Sequence, residues 1–362
     1  MASLSQLGNS LYRGDVSYNI VGRRKAWYLV SAILIVLSIA TLGVRGLNLG
    51  IEFKGGAEFS VPVEVANDQS VTKARETVIA AGESPSSVTI VGGNKIRIQT
   101  PALATEASNA LSAALAKSFA VDEANIKVQL VGPSWGDEVT KNALRALLVF
   151  LILVAIFLSI YFEWQMAVAG LIALAHDVLI TVGVYALSGF EVTPASVIGF
   201  LTILGYSLYD TVVVFDKVKE NTHGIHGGSR ATYSESANLA LNQTLVRSIN
   251  TSAVALLPVL SILVVGVSLL GVGTLNDLAL ALFVGMLVGT YSSIFVATPF
   301  LCQMKERTAE NIALAKRVHA RRKTGDASEA IKPVVAIGAP IVSSAGPRQQ
   351  QVKKPRSRRS GK

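Results

Sequence analysis

Charge and cysteine are both scarce in this chain, and each scarcity excludes a class of protein. Only 16% of the 362 residues are charged, where soluble domains carry about 25%. Water is therefore a poor candidate for the main solvent. The single cysteine, Cys302, excludes a disulfide framework, and its place in an apolar run suits a small packing residue. The longest polar segment, 48–140, has neither His nor Cys, which argues against a metal site there. The chain has no Walker A sequence, no zinc-ligand spacing and no nucleophile elbow, so nothing points to hydrolytic or nucleotide chemistry.

Long apolar runs are abundant. Residues 26–44, 146–162, 248–276 and 278–304 have no charged residue; 164–190 is interrupted only by His176 and Asp177, and 192–215 only by Asp210. About 20 apolar residues cross the hydrocarbon of a bilayer as a helix. Six such runs predict a multi-pass α-helical membrane protein with transmembrane helices at 26–47 and about 142–162, 165–188, 193–216, 246–271 and 277–303. The first run is too long for a signal-peptide core and lacks a small-residue cleavage site, so it reads as a retained helix.

Charge sets the orientation. Residues 305–362 hold 15 Lys/Arg against 4 Asp/Glu, a net +11, while the rest of the chain sums to −2. Basic residues near span ends stay on the cytoplasmic side. Arg23, Arg24 and Lys25 place the N-terminal segment 1–25 inside, and six crossings return the basic tail 305–362 inside. Lys217, Lys219 and Arg230 lie in the inner loop 217–245, whereas the short outer loops carry Glu191 and Asp277. In that loop Ser229 is placed to cap a helix running toward Arg247 along the membrane surface. Beyond about Lys323 the tail has too little apolar content to fold; it reads as a solvated tether attracted to anionic lipid or RNA, with no specific role and no specific nucleic acid assigned to it.

Segment 48–140 reads as an external domain. Residues 51–65 alternate as extended chain, 71–81 has helical spacing, and two alternating runs flank Gly92, Gly93 and Asn94, a hairpin signal. An Ala/Leu-rich helix at 105–119 and a strand at 126–131 complete the order β-α-β-β-α-β, a ferredoxin-like α+β pattern that hosts many functions.

Ionisable groups within spans are costly and mark partners or water paths. Asp210 shares a polar face with Tyr206, Ser207 and Thr211, and Arg247, Asn250 and Thr251 give the next helix a polar face at spacings of three and four. Two readings follow: a carboxylate with a movable guanidinium partner that switches protonation, Thr251 and water passing the proton on, or an ion pair that only clamps two helices. His176 and Asp177 form either a second proton-carrying pair or a buried hydrogen-bonded node, and Asp216 suits a solvated helix end. Gly285 and Gly289, spaced as GxxxG, suit close helix packing.

Several of these segments resemble a known family. GYSLYDTVVVFD at 205–216, RSINTS at 247–252, GTYSSIF at 289–295 and AHD at 175–177 are similar to span signatures of the SecF family of the bacterial protein-export machinery. GIEFKGG at 50–56 and VGPSWG at 131–136 resemble the segments that open and close that family's external domain. The likeness covers roughly residues 20–305. It departs at Tyr209, where the family usually has Asn, and at Lys217 and Lys219, where Arg is common.

The resemblance implies half of an RND-type transporter in the bacterial cytoplasmic (inner) membrane, both termini cytoplasmic. It implies SecD as heterodimer partner, the SecYEG channel as client, YajC as a further associate and unfolded precursor polypeptide as substrate. It also implies a non-enzymatic subunit with no cofactor, using the proton-motive force for late, ATP-independent translocation, and it matches Asp210, Arg247 and Thr251 to proton-relay positions. The competing functions are a proton-coupled exporter of small molecules or lipids, which would ordinarily be a longer chain with twelve spans, and an intramembrane enzyme pairing Asp177 with Asp210.

Overall fold

The computed structural model describes residues 10–13, 16–91, 93–266 and 273–323. Gly92 of the expected hairpin turn, residues 267–271 at the end of the expected fifth span and the tail beyond 323 lie outside the described residues. Among the described residues, six helices are long and apolar enough to cross a membrane. They are α1 (Arg24–Arg45), α5 (Pro133–Tyr161), α6 (Trp164–Ser188), α7 (Pro194–Thr222), α8 (Tyr233–Val265) and a sixth span. That last span begins as α9 (Gly273–Ser292), passes through a π-helical turn at Ser293–Ala297 and ends as α10 (Thr298–Lys305).

Local chemistry sets several helix starts. Pro133 and Pro194 stand in the first turn of α5 and α7, where a missing N–H costs nothing. Thr193 with Ser196, and Thr232 with Glu235, form reciprocal caps. The second of these corrects the sequence reading. Thr232 rather than Ser229 starts the helix, and from there one continuous helix runs through the inner loop into the fifth span. Its stripe of Tyr233, Ala237, Ala240 and Leu241 does not lie on lipid; it is buried with Phe162, Phe215 and Leu301 in the main core of the bundle.

Between the first two spans lies the external domain. Its strands are β2 (Gly56–Pro62), β3 (Ser87–Val91), β4 (Lys95–Thr100) and β5 (Lys127–Val131), its helices α3 (Asp68–Ala80) and α4 (Thr105–Phe119). The sheet order is β3-β4-β2-β5, every neighbour antiparallel, the ferredoxin-like topology expected. Ala57, Phe59 and Val61 alternate into a core with Ile96, Ile98, Val78, Leu111 and Leu115. Residues 51–54, read as extended, instead form one helical turn, α2 (Ile51–Lys54). Gly55, at φ +75°, reverses the chain after it in a conformation that suits glycine. The turn packs on the start of α5 so closely that a Cβ on Gly136 would sit 2.6 Å from the Phe53 carbonyl oxygen.

A second attachment joins domain and bundle. Strand β1 (Asn48–Leu49) pairs in parallel with β6 (Glu191–Val192), between the third and fourth spans. After the sixth span, α11 (Ala309–Lys323) ends at the residue beyond which an unfolded tail was expected. Leu314 and Val318 are buried, and Arg322 grips both Glu235 oxygens at 2.8 and 2.9 Å. The GxxxG expectation holds: a Cβ on Gly285 would lie 2.0 Å from Ile203 Cδ1, and one on Gly289 2.8 Å from Ser207 Cβ, so only glycine lets the sixth span approach the fourth.

Candidate functional site

Asp210 lies in the middle of α7, 7% exposed, with its carboxylate held by hydroxyls from two other spans. Ser248 Oγ of α8 donates at 2.6 Å to Oδ1, and Ser293 Oγ donates at 2.5 Å to Oδ2. Ser293 opens the π-helical turn of the sixth span, a local unwinding often found at functional positions. Hydroxyl donors thus satisfy both oxygens of the buried carboxylate without neutralising it.

One turn away, Ser207 is at i−3 to Asp210 and faces a second buried carboxylate. Asp177 of α6, 1% exposed, accepts from Ser207 Oγ at 2.5 Å and from Ser292 Oγ at 2.8 Å. Its Oδ1 is 3.0 Å from His176 Nδ1, which carries the hydrogen when the carboxylate is ionised. His176 Nε2 lies 3.2 Å from Ser31 Oγ of the first span. Ser31 is 3.3 Å from the Tyr291 hydroxyl, which donates to the Trp27 carbonyl at 2.9 Å. The pair is thus a polar node joining four spans. Consecutive serines on the sixth span, Ser292 and Ser293, point about 100° apart and so serve one carboxylate each.

Tyr206 lies beside this centre: its hydroxyl donates to Ser252 Oγ at 3.3 Å, and Ser252 lies 2.6 Å from Thr290 Oγ1. The remaining candidates are elsewhere. Arg247, Asn250 and Thr251 lie on the exposed outer face of α8. Among the described residues no ion pair joins Arg247 to Asp210. Arg247 Nη2 reaches the Tyr209 hydroxyl at 3.4 Å, and Thr251 Oγ1 donates to the Arg247 carbonyl at 2.8 Å. The expected Asp210–Arg247 contact is therefore corrected in favour of Ser248, the residue next to Arg247 and turned about 100° from it. Tyr209, the departure from the usual Asn, is the side chain that holds the guanidinium on the outer face. Asp216 is exposed toward the C-terminal end of α7, as expected of a helix-end charge. Among the described residues no group of three His, Cys, Asp or Glu is placed to hold a metal ion.

Weighing charges alone missed Ser248, Ser292 and Ser293, which hold the buried acids, and Ser31, the partner of His176. The available signal was a set of hydroxyls within apolar runs, which in membranes mark helix contacts and interhelical hydrogen bonds.

Comparison with known proteins gives consistent matches. A family described as "Protein export membrane protein SecD/SecF, C-terminal" matches residues 111–307, and one described as "SecD/SecF GG Motif" matches residues 40–66. Protein translocase subunit SecF of Streptomyces coelicolor is 49% identical over 327 residues, covering 90% of this chain and 87% of that protein. Protein translocase subunit SecF of Mycobacterium tuberculosis is 45% identical over 328 residues, 87% of this chain and 73% of that one. The crystal structure of SecDF from Thermus thermophilus, titled a translocon-associated membrane protein, superposes with a TM-score of 0.72 at 32% identity. That match takes in 81% of this chain and 39% of the SecDF chain, so the chain spans about two fifths of that larger protein.

Proposed function

The chain belongs to the SecD/SecF family of protein-export membrane proteins, and from that premise we propose that it is the SecF-type half of a proton-driven export device. With SecD, it uses the proton-motive force to promote late, ATP-independent movement of unfolded precursor polypeptide across the bacterial cytoplasmic membrane. It sits there with both termini cytoplasmic, working beside the SecYEG channel and with YajC as a further associate. The subunit transports rather than catalyses, and protons are its coupling ion.

The observation that carries this reading is Asp210, a carboxylate buried between three spans and held by hydroxyls at a π-helical turn. Ionisable groups in such places mark proton paths. Arg247 and Thr251 enter the relay from the other side of the helix, where they meet the partner. Tyr209, 53% exposed, and Arg247, Asn250 and Thr251 leave a polar strip on the outside of the fourth and fifth spans. Charged side chains at membrane depth face protein or a water-filled cavity rather than lipid, so a second protein covers this strip, and SecD is the partner that fits. A single charge crossing 100 mV is worth about 2.3 kcal/mol, and a switch from 1:99 to 99:1 needs about 5.5 kcal/mol. One proton at that voltage biases the external domain; a pH gradient or a second proton completes the stroke.

Partnership is tested by purification in mild detergent. The chain is expected to come out with a second six-span protein, and Arg247→Glu is expected to reduce the yield of that pair several-fold while the chain itself remains folded. A monomer that supports proton-dependent secretion when reconstituted alone with the channel would contradict the proposal.

A further inference from the structure

The chain before the first span is fastened to the fifth by side-chain amides that lie outside the centre around Asp210. Asn238 and Asn242 stand one turn apart on one face of α8, near its start. Asn238 uses its whole hydrogen-bonding capacity on residues 17–21. Its Oδ1 accepts from the Ile20 N–H at 2.8 Å and the Val21 N–H at 3.1 Å. Its Nδ2 donates to Ser17 Oγ at 3.3 Å and to the Tyr18 carbonyl at 3.0 Å. Asn242, fully buried, clasps the backbone of a single residue. Its Oδ1 accepts from the Tyr18 N–H at 2.7 Å, and its Nδ2 donates to the Tyr18 carbonyl at 2.9 Å and the Asn238 carbonyl at 2.7 Å. Gln243 extends the row to the fourth span: Nε2 donates to the Tyr12 carbonyl at 3.2 Å, and Oε1 accepts from Asn221 Nδ2 of α7 at 2.9 Å.

Apolar side chains seal the same joint. Ile20 and Val21 are buried in the main core with Tyr233, Ala237, Ala240 and Leu241 of α8. After Val21 the chain enters α1, whose Ser31 meets His176. Glu306, just past the end of the sixth span, adds a parallel tie between the same two helices. It accepts from Arg24 Nη1 of α1 at 2.7 Å and from Ser234 Oγ of α8 at 2.5 Å.

A buried amide left without partners is strongly unfavourable, so α8 cannot turn at Asn242 unless residues 17–21 turn with it. Six residues further on, roughly 9 Å along the axis, Ser248 donates to Asp210 at 2.6 Å. Arg247, about 100° round from Ser248, stays on the outside of the bundle. The helix is continuous between Asn242 and Ser248, so the rotation held at the first is the rotation delivered at the second.

We propose that Asn242, with Asn238, is a positioning residue for the carboxylate centre. By clasping residues 17–21 it holds α8 at the rotation that turns Ser248, and not Arg247, toward Asp210. The segment before the first span is thereby part of the centre's support, although none of its side chains touches the centre. The consequence for secretion rests on the export reading above; the geometric role does not.

The test reads the direction of position 248 by thiol labelling in the full chain, purified with its partner in mild detergent. Ser248→Cys is close in size and is expected to be as unreactive toward a maleimide as the native Cys302, which is fully buried and reports that the core is intact. Adding Asn242→Leu, similar in size but without hydrogen bonds, is expected to raise labelling at 248 severalfold while Cys302 stays unlabelled. Asn238→Ala, at a half-buried position, is expected to act the same way and serves should Asn242→Leu not fold. Unchanged labelling at 248, or Cys302 reacting in step with it in both variants, overturns the proposal. Secretion supplies the second readout. Ser248→Ala and Asn242→Leu are each expected to lower the gradient-dependent part severalfold, and the double variant no further, because both act through one contact. Losses that multiply, or a loss in Asn242→Leu without one in Ser248→Ala, overturn the proposal. Should secretion prove independent of the gradient in every variant while 248 still turns out in Asn242→Leu, the export reading fails and the positioning role stands.

Discussion

Asp210→Asn is expected to abolish the part of secretion that depends on a proton gradient, a loss on the order of tenfold or more, while leaving the chain folded. The fold survives because an amide replaces both contacts: its oxygen accepts from one serine and its nitrogen donates to the hydroxyl of the other. Ser248 at 2.6 Å and Ser293 at 2.5 Å both keep a partner. What disappears is the titratable charge. Asp210→Glu retains a carboxylate displaced by one methylene and is expected to keep partial activity. The measurement is secretion at matched protein levels, with and without the gradient. Wild-type stimulation in Asp210→Asn would reduce Asp210 to a helix clamp and move the search for the path to His176 and Asp177.

Gly183→Leu is expected to have the largest effect on assembly. The first span is almost entirely exposed, and its buried residues are Ser31 and Ser38, seven apart on one face. That face lies on the third span. A Cβ on Gly183 would sit 2.2 Å from Ser38 Cβ and 2.6 Å from Ser38 Cα, so the backbone itself is in the way and no rotamer relieves the clash. Overpacking costs about 1–3 kcal/mol even where a core can adjust, and here the first span must move off the bundle, breaking the Ser31–His176 contact as well. The folded fraction in mild detergent is expected to fall severalfold. Gly43→Leu is the control on the same span: nothing lies within 4 Å of its Cβ position, and the change is expected to be neutral within about 0.5 kcal/mol. Equal behaviour of the two variants would contradict this packing.

The six spans and the ferredoxin-like sheet were legible in the sequence because both rest on local periodicity. Apolar length alone finds a span, and the alternation of Ala57, Phe59 and Val61 finds a strand face. The single turn at Ile51–Lys54 was not legible, because alternation reads the same until Gly55 reverses the chain. Nor was the continuity of Tyr233–Val265, which follows from the Thr232–Glu235 cap and from burial of an alanine-rich stripe that looks equally suited to lipid.

At the site, the sequence found both buried acids and missed what holds them. Arg247 and Ser248 are neighbours in the chain and point in different directions on the helix, and only the rotation of α8 against α7 decides which of them meets Asp210. That rotation is set by packing along the whole bundle, including the glycines at 285 and 289 that bring the sixth span and its two serines close. The node around His176 was left open between a proton pair and a structural contact. Its bonds to three other spans give it the structural part that the second of those readings expected.

The central claim is that a proton gradient, acting through this chain and its partner, moves polypeptide after the ATP-driven step is over. The direct measurement takes inverted membrane vesicles holding a precursor stalled partway through the channel, removes ATP, and follows completion of translocation with the gradient intact or collapsed by an ionophore. With wild-type protein, completion is expected only while the gradient stands, and vesicles lacking the chain are expected to stall in both conditions. Completion at the same rate with the gradient collapsed, or in vesicles without the chain, would contradict the account.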